Sequence, residues 1–328
     1  MIVKRSSIST IKTPVKDEMA KFESYFKESM KSKIRLLDII NGYIIKRKGK
    51  EIRPILVFLS AKLTGEINQS TYTAAALTQL LHTATLIHDD VVDEAYERRG
   101  FFSINALWKS KAAVLVGDYL LSKGLLIALD NNEFGQLKVV SDTVREMSEG
   151  ELLQLEKSRK LNITEEVYFD IIYKKTASLI ASCTHLGAIS AKASDEVQDK
   201  LKKFGECLGI AFQLKDDLFD YEKQGNIGKP TGNDIKEKKL TLPLIYTLSV
   251  ISEKERKWAL KIIRKYNKDT EKVNELIQFV KEKGGIDYTR KKMLEYKQEA
   301  MDILGDFQDS ETKAALQELV EYTISRTR

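Results

Sequence analysis

Apolar residues recur three and four positions apart along most of this chain, and that period, rather than the strict alternation of a strand, restricts what it can fold into. Its four prolines, Pro14, Pro54, Pro230 and Pro243, stand where a helix can begin or a loop can run, never inside a long periodic segment. The pattern predicts helices over 70–94, 103–130, 134–160, 164–192 and 194–222, then shorter, more charged helices from 253 to 328. Ser103 and Ser194 stand at N-cap positions, and Ser252 with Glu255 spells a capping box. No linker, low-complexity segment or repeat interrupts the run. The expectation is an all-α, single-domain helical bundle around a central cavity, spanning 1–328.

With 42% hydrophobic and 31% charged residues, such a bundle has enough apolar material for a large core. The net charge of +6 suits anionic small molecules or a membrane surface. No basic stripe interleaved with aromatics is present, so no nucleic-acid partner is expected. Cys183 and Cys207 form no CxxC pair, which predicts a reducing, cytoplasmic setting. The opening MIVKRSSIST lacks an apolar run after its basic residues, so it does not read as a secretory signal. No stretch reads as a transmembrane helix, which leaves transient contact with a membrane surface from the cytoplasmic side.

The chemistry concentrates in two acidic motifs. LIHDDVVDEAYERRG places Asp89 and Asp93 four apart, one turn from each other on one helix face, with Asp90 beside them. Like charges at that spacing repel unless a cation lies between them. Hard oxygen donors with incomplete coordination suit Mg²⁺ shared with a phosphorylated substrate. One DDxxD alone is as readily a solvated helix end, but FQLKDDLFDYE repeats it with Asp216, Asp217 and Asp220. Two such clusters suit a metal clamp on one diphosphate leaving group.

Basic residues accompany them. Arg98 and Arg99 follow the first cluster, with Gly100 placed to end its helix, and guanidinium forks match diphosphate oxygens. Lys50 and Arg53 in RKGKEIRP stand at a helix entry, where anions bind. Lys175 and Thr176 lie mid-helix in YKKTASL, Gln213 is three residues before Asp216, and GKPTGNDIKEKKLTLP contributes Lys229 and Lys239. His82, seven residues before Asp89, falls on nearly the same face; His88 points elsewhere, so no two-histidine zinc site is expected.

Together these segments resemble the trans-type isoprenyl diphosphate synthases, the polyprenyl synthetase family. The resemblance runs from about Gly49 to Pro243 and rests on GKEIRP, DDVVDEAYERRG, KT, FQLKDDLFD and GKPTGNDIKEKKLTLP in that order. It implies an all-α fold, Mg²⁺ held by Asp89 and Asp93 on one side and Asp216 on the other, and supporting roles for Asp90, Asp217 and Asp220. It implies that Arg98, Lys175, Gln213, Lys229 and Lys239 contact an allylic diphosphate, and that Lys50, Arg53, His82 and Arg99 hold isopentenyl diphosphate. Thr176 and Gln213 would present oxygens to an allylic cation, and a homodimer is expected. One departure stands out: the family commonly has glycine where Lys238 stands here, which leaves open whether Lys238 or Lys239 meets the substrate.

The resemblance also implies that positions four and five before the first aspartate gate the product tunnel. Here these are Thr85 and Ala84, both small, with Leu81, Leu77, Leu121 and Leu125 as the next bulky candidates. A medium- or long-chain all-trans product is therefore expected rather than a farnesyl or geranylgeranyl one. A terpene cyclase would not need the second diphosphate site, and a non-catalytic synthase subunit would be expected to lack some of the six aspartates.

Overall fold

A computed structural model of the chain describes residues 7–47, 49–98, 100–221 and 232–326. Most of the long helices form where the apolar period predicts them, and further helices before residue 47 and between 233 and 250 lie outside the predicted ranges. In chain order they are α1 (Ile8–Ile11), α2 (Lys16–Ser29), α3 (Arg35–Lys46), α4 (Ile52–Thr64), α5 (Gln69–Val92), α6 (Ile104–Asp130), α7 (Phe134–Lys160), α8 (Glu165–Ile172), α9 (Ser178–Ser190), α10 (Asp195–Tyr221), α11 (Asn233–Lys236), α12 (Leu242–Val250), α13 (Glu253–Lys265), α14 (Thr270–Glu282), α15 (Gly285–Gly305) and α16 (Glu311–Ser325). Among the described residues the only strands are β1 (Glu97–Arg98) and β2 (Phe101–Phe102), paired antiparallel. The all-α expectation holds.

Local signals set many boundaries. Ser103 accepts from the Ala106 amide and caps α6; Ser252 and Glu255 form the reciprocal box that opens α13. Two expectations change. Gly100 does not end the Asp89 helix: α5 stops at Val92, and Gly100 (φ 78°) sits in the turn of the β1–β2 hairpin. Left-handed backbone of this kind suits a residue with no Cβ. The predicted helix over 164–192 is interrupted by a π-turn, Tyr173–Ala177, between α8 and α9.

The chain divides into two compact units. The first comprises Met1–Val144, Ser182–Lys202 and Phe307–Leu316. Its centre is α5 packed along α6, with Leu80, Ala84, Ile87, Ala113, Val116 and Leu120 buried together. Gly117 of α6 leaves room for the His88 ring, since a Cβ there would fall 2.2 Å from His88 Nε2. α6 also corrects the sequence reading on membranes. By length and composition it is apolar enough to cross a bilayer, and 39% of its most apolar window is buried in the protein.

The second unit comprises Arg145–Ala181, Lys203–Asp306 and Gln317–Arg328. Its core gathers Tyr168, Ala177, Leu214, Leu218, Tyr221, Leu244 and Ile277 from α8, the π-turn, α10, α12 and α14. Two glycines pin the π-turn. A Cβ on Gly150 of α7 would come within 2.9 Å of the Lys175 amide nitrogen, and one on Gly209 of α10 within 2.5 Å of Ala177 Cα. Backbone therefore rests directly on backbone on both sides of Lys175 and Thr176.

Candidate active site

In the first unit, the end of α5 carries the first acidic motif. Asp89 is half-buried, and Asp93 is exposed as the residue capping the helix C-terminus. Asp90 turns away from Asp89, as the i, i+1 spacing requires. It is buried, and Oδ1 accepts from Arg98 Nε and pairs with a terminal guanidinium nitrogen, both at 2.7 Å. Burial raises the Asp90 carboxyl above its ordinary range and Arg98 partly offsets this. The pair fastens β1 to the helix, and Ser103 Oγ adds a bond to Ala95 O at 2.7 Å. Arg98 is thus already committed to Asp90, a partnership the sequence reading did not foresee.

A cavity of about 1000 Å³, its open mouth included, lies beside this helix end. His82, Gln79, Thr83, Leu86 and Asp90 line it from α5, with Arg98, Gly49 and Glu51 at its rim and Phe26, Ile44 and Phe102 among its apolar wall. Arg53 lies in the first turn of α4, with exposed Lys50 just before that helix, so the helix-entry placement expected for both is present. Arg99 falls outside the described residues. His88 faces α6 instead, 3.4 Å from Asp118 Oδ1. Ala84 is buried in the α5–α6 contact with Leu81 and Leu77 buried nearby, whereas Thr85 is half-buried and donates to His82 O at 2.9 Å.

In the second unit, α10 carries the second motif, and its three carboxylates have three different partners. Asp216 pairs with Arg326 at 2.8 Å. Asp217 is buried; Tyr168 Oη donates to its Oδ2 at 2.5 Å and Gln213 Nε2 to its Oδ1 at 2.9 Å. Asp220 accepts from the amides of Asn233 (2.8 Å) and Asp234 (3.0 Å), which anchors the chain as it enters α11. Gln213 therefore serves Asp217, one turn on, rather than Asp216.

Around Asp217 the polar groups form a chain. Thr176 Oγ1 donates to Gln213 Oε1 at 3.0 Å, and Gln213 in turn donates to Asp217. Lys175, presented by the π-turn, reaches Gln154 Oε1 at 2.8 Å and Glu151 Oε2 at 2.5 Å. π-turns commonly mark such functional positions. A pocket is lined by Gln154, Lys175, Thr176, Gln213, Asp217, Asp234 and Lys239. Lys239 therefore faces the pocket, while Lys238 is exposed and held at φ 59°, the backbone region that favours the glycine expected there. Lys229 falls outside the described residues.

Burial pushes the Asp217 carboxyl up to about 7 against the pull of its two hydrogen bonds. Asp234 is raised well above the carboxylate range by burial and by the neighbouring Asp217 and Asp220 charges. Asp216 and Asp220 are raised too, again chiefly by burial. Tyr168, Asp234 and Arg326 were not singled out from sequence. Asp234 lies within a motif already recognised; Tyr168 and Arg326 have no local signal.

Among the described residues, no three His, Cys, Asp or Glu side chains converge on one metal-sized point. Paired carboxylate oxygens with open coordination fit a hard dication that completes its shell with water and phosphate.

A helical scaffold bearing two DDxxD clusters, with lysine and arginine among the pocket-lining residues, defines a protein built to bind diphosphates. The polyprenyl synthetase family model matches residues 34–280, and the chain belongs to that family. It is 34% identical, over 96% of its length and 97% of the other protein, to the all-trans-nonaprenyl-diphosphate synthase (geranyl-diphosphate specific) of Rhodobacter capsulatus. The solved polyprenyl synthase of Caulobacter crescentus, complexed with calcium and isoprenyl diphosphate, superposes with a TM-score of 0.90 at 31% identity, covering 99% of each chain. Geranylgeranyl pyrophosphate synthase from Bacteroides thetaiotaomicron is 39% identical with a TM-score of 0.83, covering 97% of this chain and 99% of that one.

Proposed function

We propose that this chain, acting as one prenyl synthase domain, extends an allylic diphosphate with isopentenyl diphosphate to give an all-trans polyprenyl diphosphate of medium or long chain. The observation that carries the reading is the i, i+4 carboxylate pair present twice, Asp89/Asp93 on α5 and Asp216/Asp220 on α10, each accompanied by basic side chains. Asp89 and Asp93 in the first unit, and Asp216 in the second, would hold Mg²⁺. When bound, the metal supplies a Lewis acid that draws charge from the leaving pyrophosphate.

The chain's own groups do the rest. Lys175 and Lys239 bind the allylic diphosphate oxygens, with Arg98 and Lys229 assigned to the same group by resemblance. The allylic C–O bond breaks with its electron pair leaving on pyrophosphate. Thr176 Oγ1 donates its hydrogen bond to Gln213 Oε1, so its oxygen lone pairs remain for the allylic cation. Tyr168 and Gln213 keep Asp217 fixed. Lys50, Arg53, His82 and Arg99 hold isopentenyl diphosphate, whose double bond attacks the cation; a proton then leaves to pyrophosphate. Groups arranged before the reaction need no reorganisation during it, which is the main source of such catalysis.

Support for a long product comes from the nonaprenyl synthase relative and from small Ala84 and Thr85 near the metal ligands. A short product is the second reading. It is favoured by the burial of Ala84 against α6, which leaves Thr85 alone on the Asp89 face, and by the geranylgeranyl synthase neighbour.

A homodimer fits the outer face of α6 beyond the break in its backbone at Lys109 (φ 68°), where Val114, Leu115, Leu126 and Leu129 are exposed within about 120° of the helix circumference. Two free, buried cysteines support a cytoplasmic setting, and the basic balance allows brief contact with a membrane surface as product leaves.

The test is incubation of the purified chain with radiolabelled isopentenyl diphosphate, an allylic primer and Mg²⁺, with chromatography of the products. Polyprenyl product that disappears on chelation and in Asp89→Ala and Asp216→Ala supports the reading. Undiminished turnover in either variant refutes it. Sedimentation as a monomer at micromolar concentration with full activity refutes the dimer.

A further inference from the structure

The most desolvated charge contact at the second cluster comes from the far end of the chain. Arg326 follows the last turn of α16, and its side chain is only 11% exposed. One terminal nitrogen donates to Asp216 Oδ1 at 2.8 Å and to Phe212 O at 3.1 Å, while Nε donates to Thr323 O at 3.0 Å. The guanidinium carbon, Cζ, lies 3.9 Å from the Phe212 ring centroid and 5.4 Å from that of Phe219. Aromatic stacking, two carbonyls and one carboxylate therefore hold the group in a single place. This is a built socket rather than a chance surface pair, and its centre is one oxygen of Asp216.

We propose that Arg326 is a positioning residue that sets how strongly Asp216 takes a divalent cation. The inference rests on the reading that Asp216 is a metal ligand. The guanidinium occupies Oδ1 and neutralises the carboxylate, so a dication approaching Asp216 meets both a blocked oxygen and a nearby positive charge. Metal and Arg326 consequently oppose each other at this carboxylate. By linkage, whatever Arg326 subtracts from metal affinity, metal subtracts from the grip on the C-terminal residues. The end of the chain thereby reports on the metal state of α10.

The test uses the full chain without substrate. Free Mn²⁺ is counted by electron paramagnetic resonance during titration of wild type, Arg326→Gln, Arg326→Lys and Asp216→Asn, with circular dichroism to verify folding. Arg326→Gln is expected to tighten Mn²⁺ binding by at least roughly fivefold, the lower end of coupling between linked sites. Arg326→Lys, which keeps the charge without the fork, should fall between the two. Equal or weaker binding in Arg326→Gln overturns the proposal. If Asp216→Asn binds Mn²⁺ as wild type does, the failure lies instead in the assignment of Asp216 as a ligand. In wild type, Mg²⁺ should also speed hydrogen exchange in the peptide covering 317–326, where the Arg326 amide is bonded to Tyr322 O. Exchange that Mg²⁺ leaves unchanged or slows overturns the coupling.

Discussion

Replacing Gly209 by alanine tests whether the π-turn holds Lys175 and Thr176 by backbone contact. The added Cβ would stand 2.5 Å from Ala177 Cα and 2.8 Å from its Cβ, where ordinary contact begins at 3.4 Å. The α10 backbone and the π-turn must then separate by about 0.9 Å, the difference between 2.5 and 3.4 Å. Overpacking of this kind costs about 1–3 kcal/mol. Alanine returns about 1 kcal/mol of helix propensity, leaving a net loss of about 0–2 kcal/mol. Catalysis is affected more, because a displacement near 1 Å in positioned groups costs up to about 100-fold. The expected result is prenyl-transfer turnover reduced about 10- to 100-fold in a protein that still unfolds cooperatively in urea. Gly135→Ala is the control: it is also helical, a Cβ there meets nothing within 4 Å, and it should be neutral or stabilising with full activity. Wild-type turnover in Gly209→Ala would show that the contact does not position the site.

Three further outcomes are expected. Thr85→Phe places an aromatic on the Asp89 face one turn from the motif, and chromatography should show a shorter product; an unchanged length distribution removes Thr85 from chain-length control. Lys238→Gly relieves a left-handed backbone at φ 59° and should raise stability by about 0.5–1 kcal/mol in urea unfolding, with activity retained because Lys239 is the lysine in the pocket wall. Burial holds the Cys183 and Cys207 thiols up at about 12, so both should resist alkylation at pH 8 until the chain unfolds. These thiols are raised above their ordinary value of 9.0, so they cost nothing below pH 9. Stability should then fall between pH 9 and about 12 as the unfolded state alone ionises, and Cys183→Ala/Cys207→Ala should flatten that alkaline decline.

The helices and the carboxylate spacing were legible in the sequence because both are local. A helix is stabilised by groups four residues apart, so the apolar period located α7 at Phe134–Lys160 and the caps of α6 and α13 to the residue. The same geometry placed Asp89 with Asp93 one turn apart, and likewise Asp216 with Asp220. Which partner each aspartate takes was not legible, since those partners are chosen by packing. Arg98 closes on Asp90 because the turn after α5, where the Ala95 amide bonds back to Asp90 O, folds β1 against the helix end. Tyr168 meets Asp217 across 49 residues, and Arg326 meets Asp216 across 110. The apolar composition of α6 could not reveal how much of that helix the fold covers. The π-turn appears as ordinary helix in the sequence, because the extra residue in its turn is accommodated by Gly150 and Gly209 on neighbouring helices, which only the tertiary structure brings to its two sides.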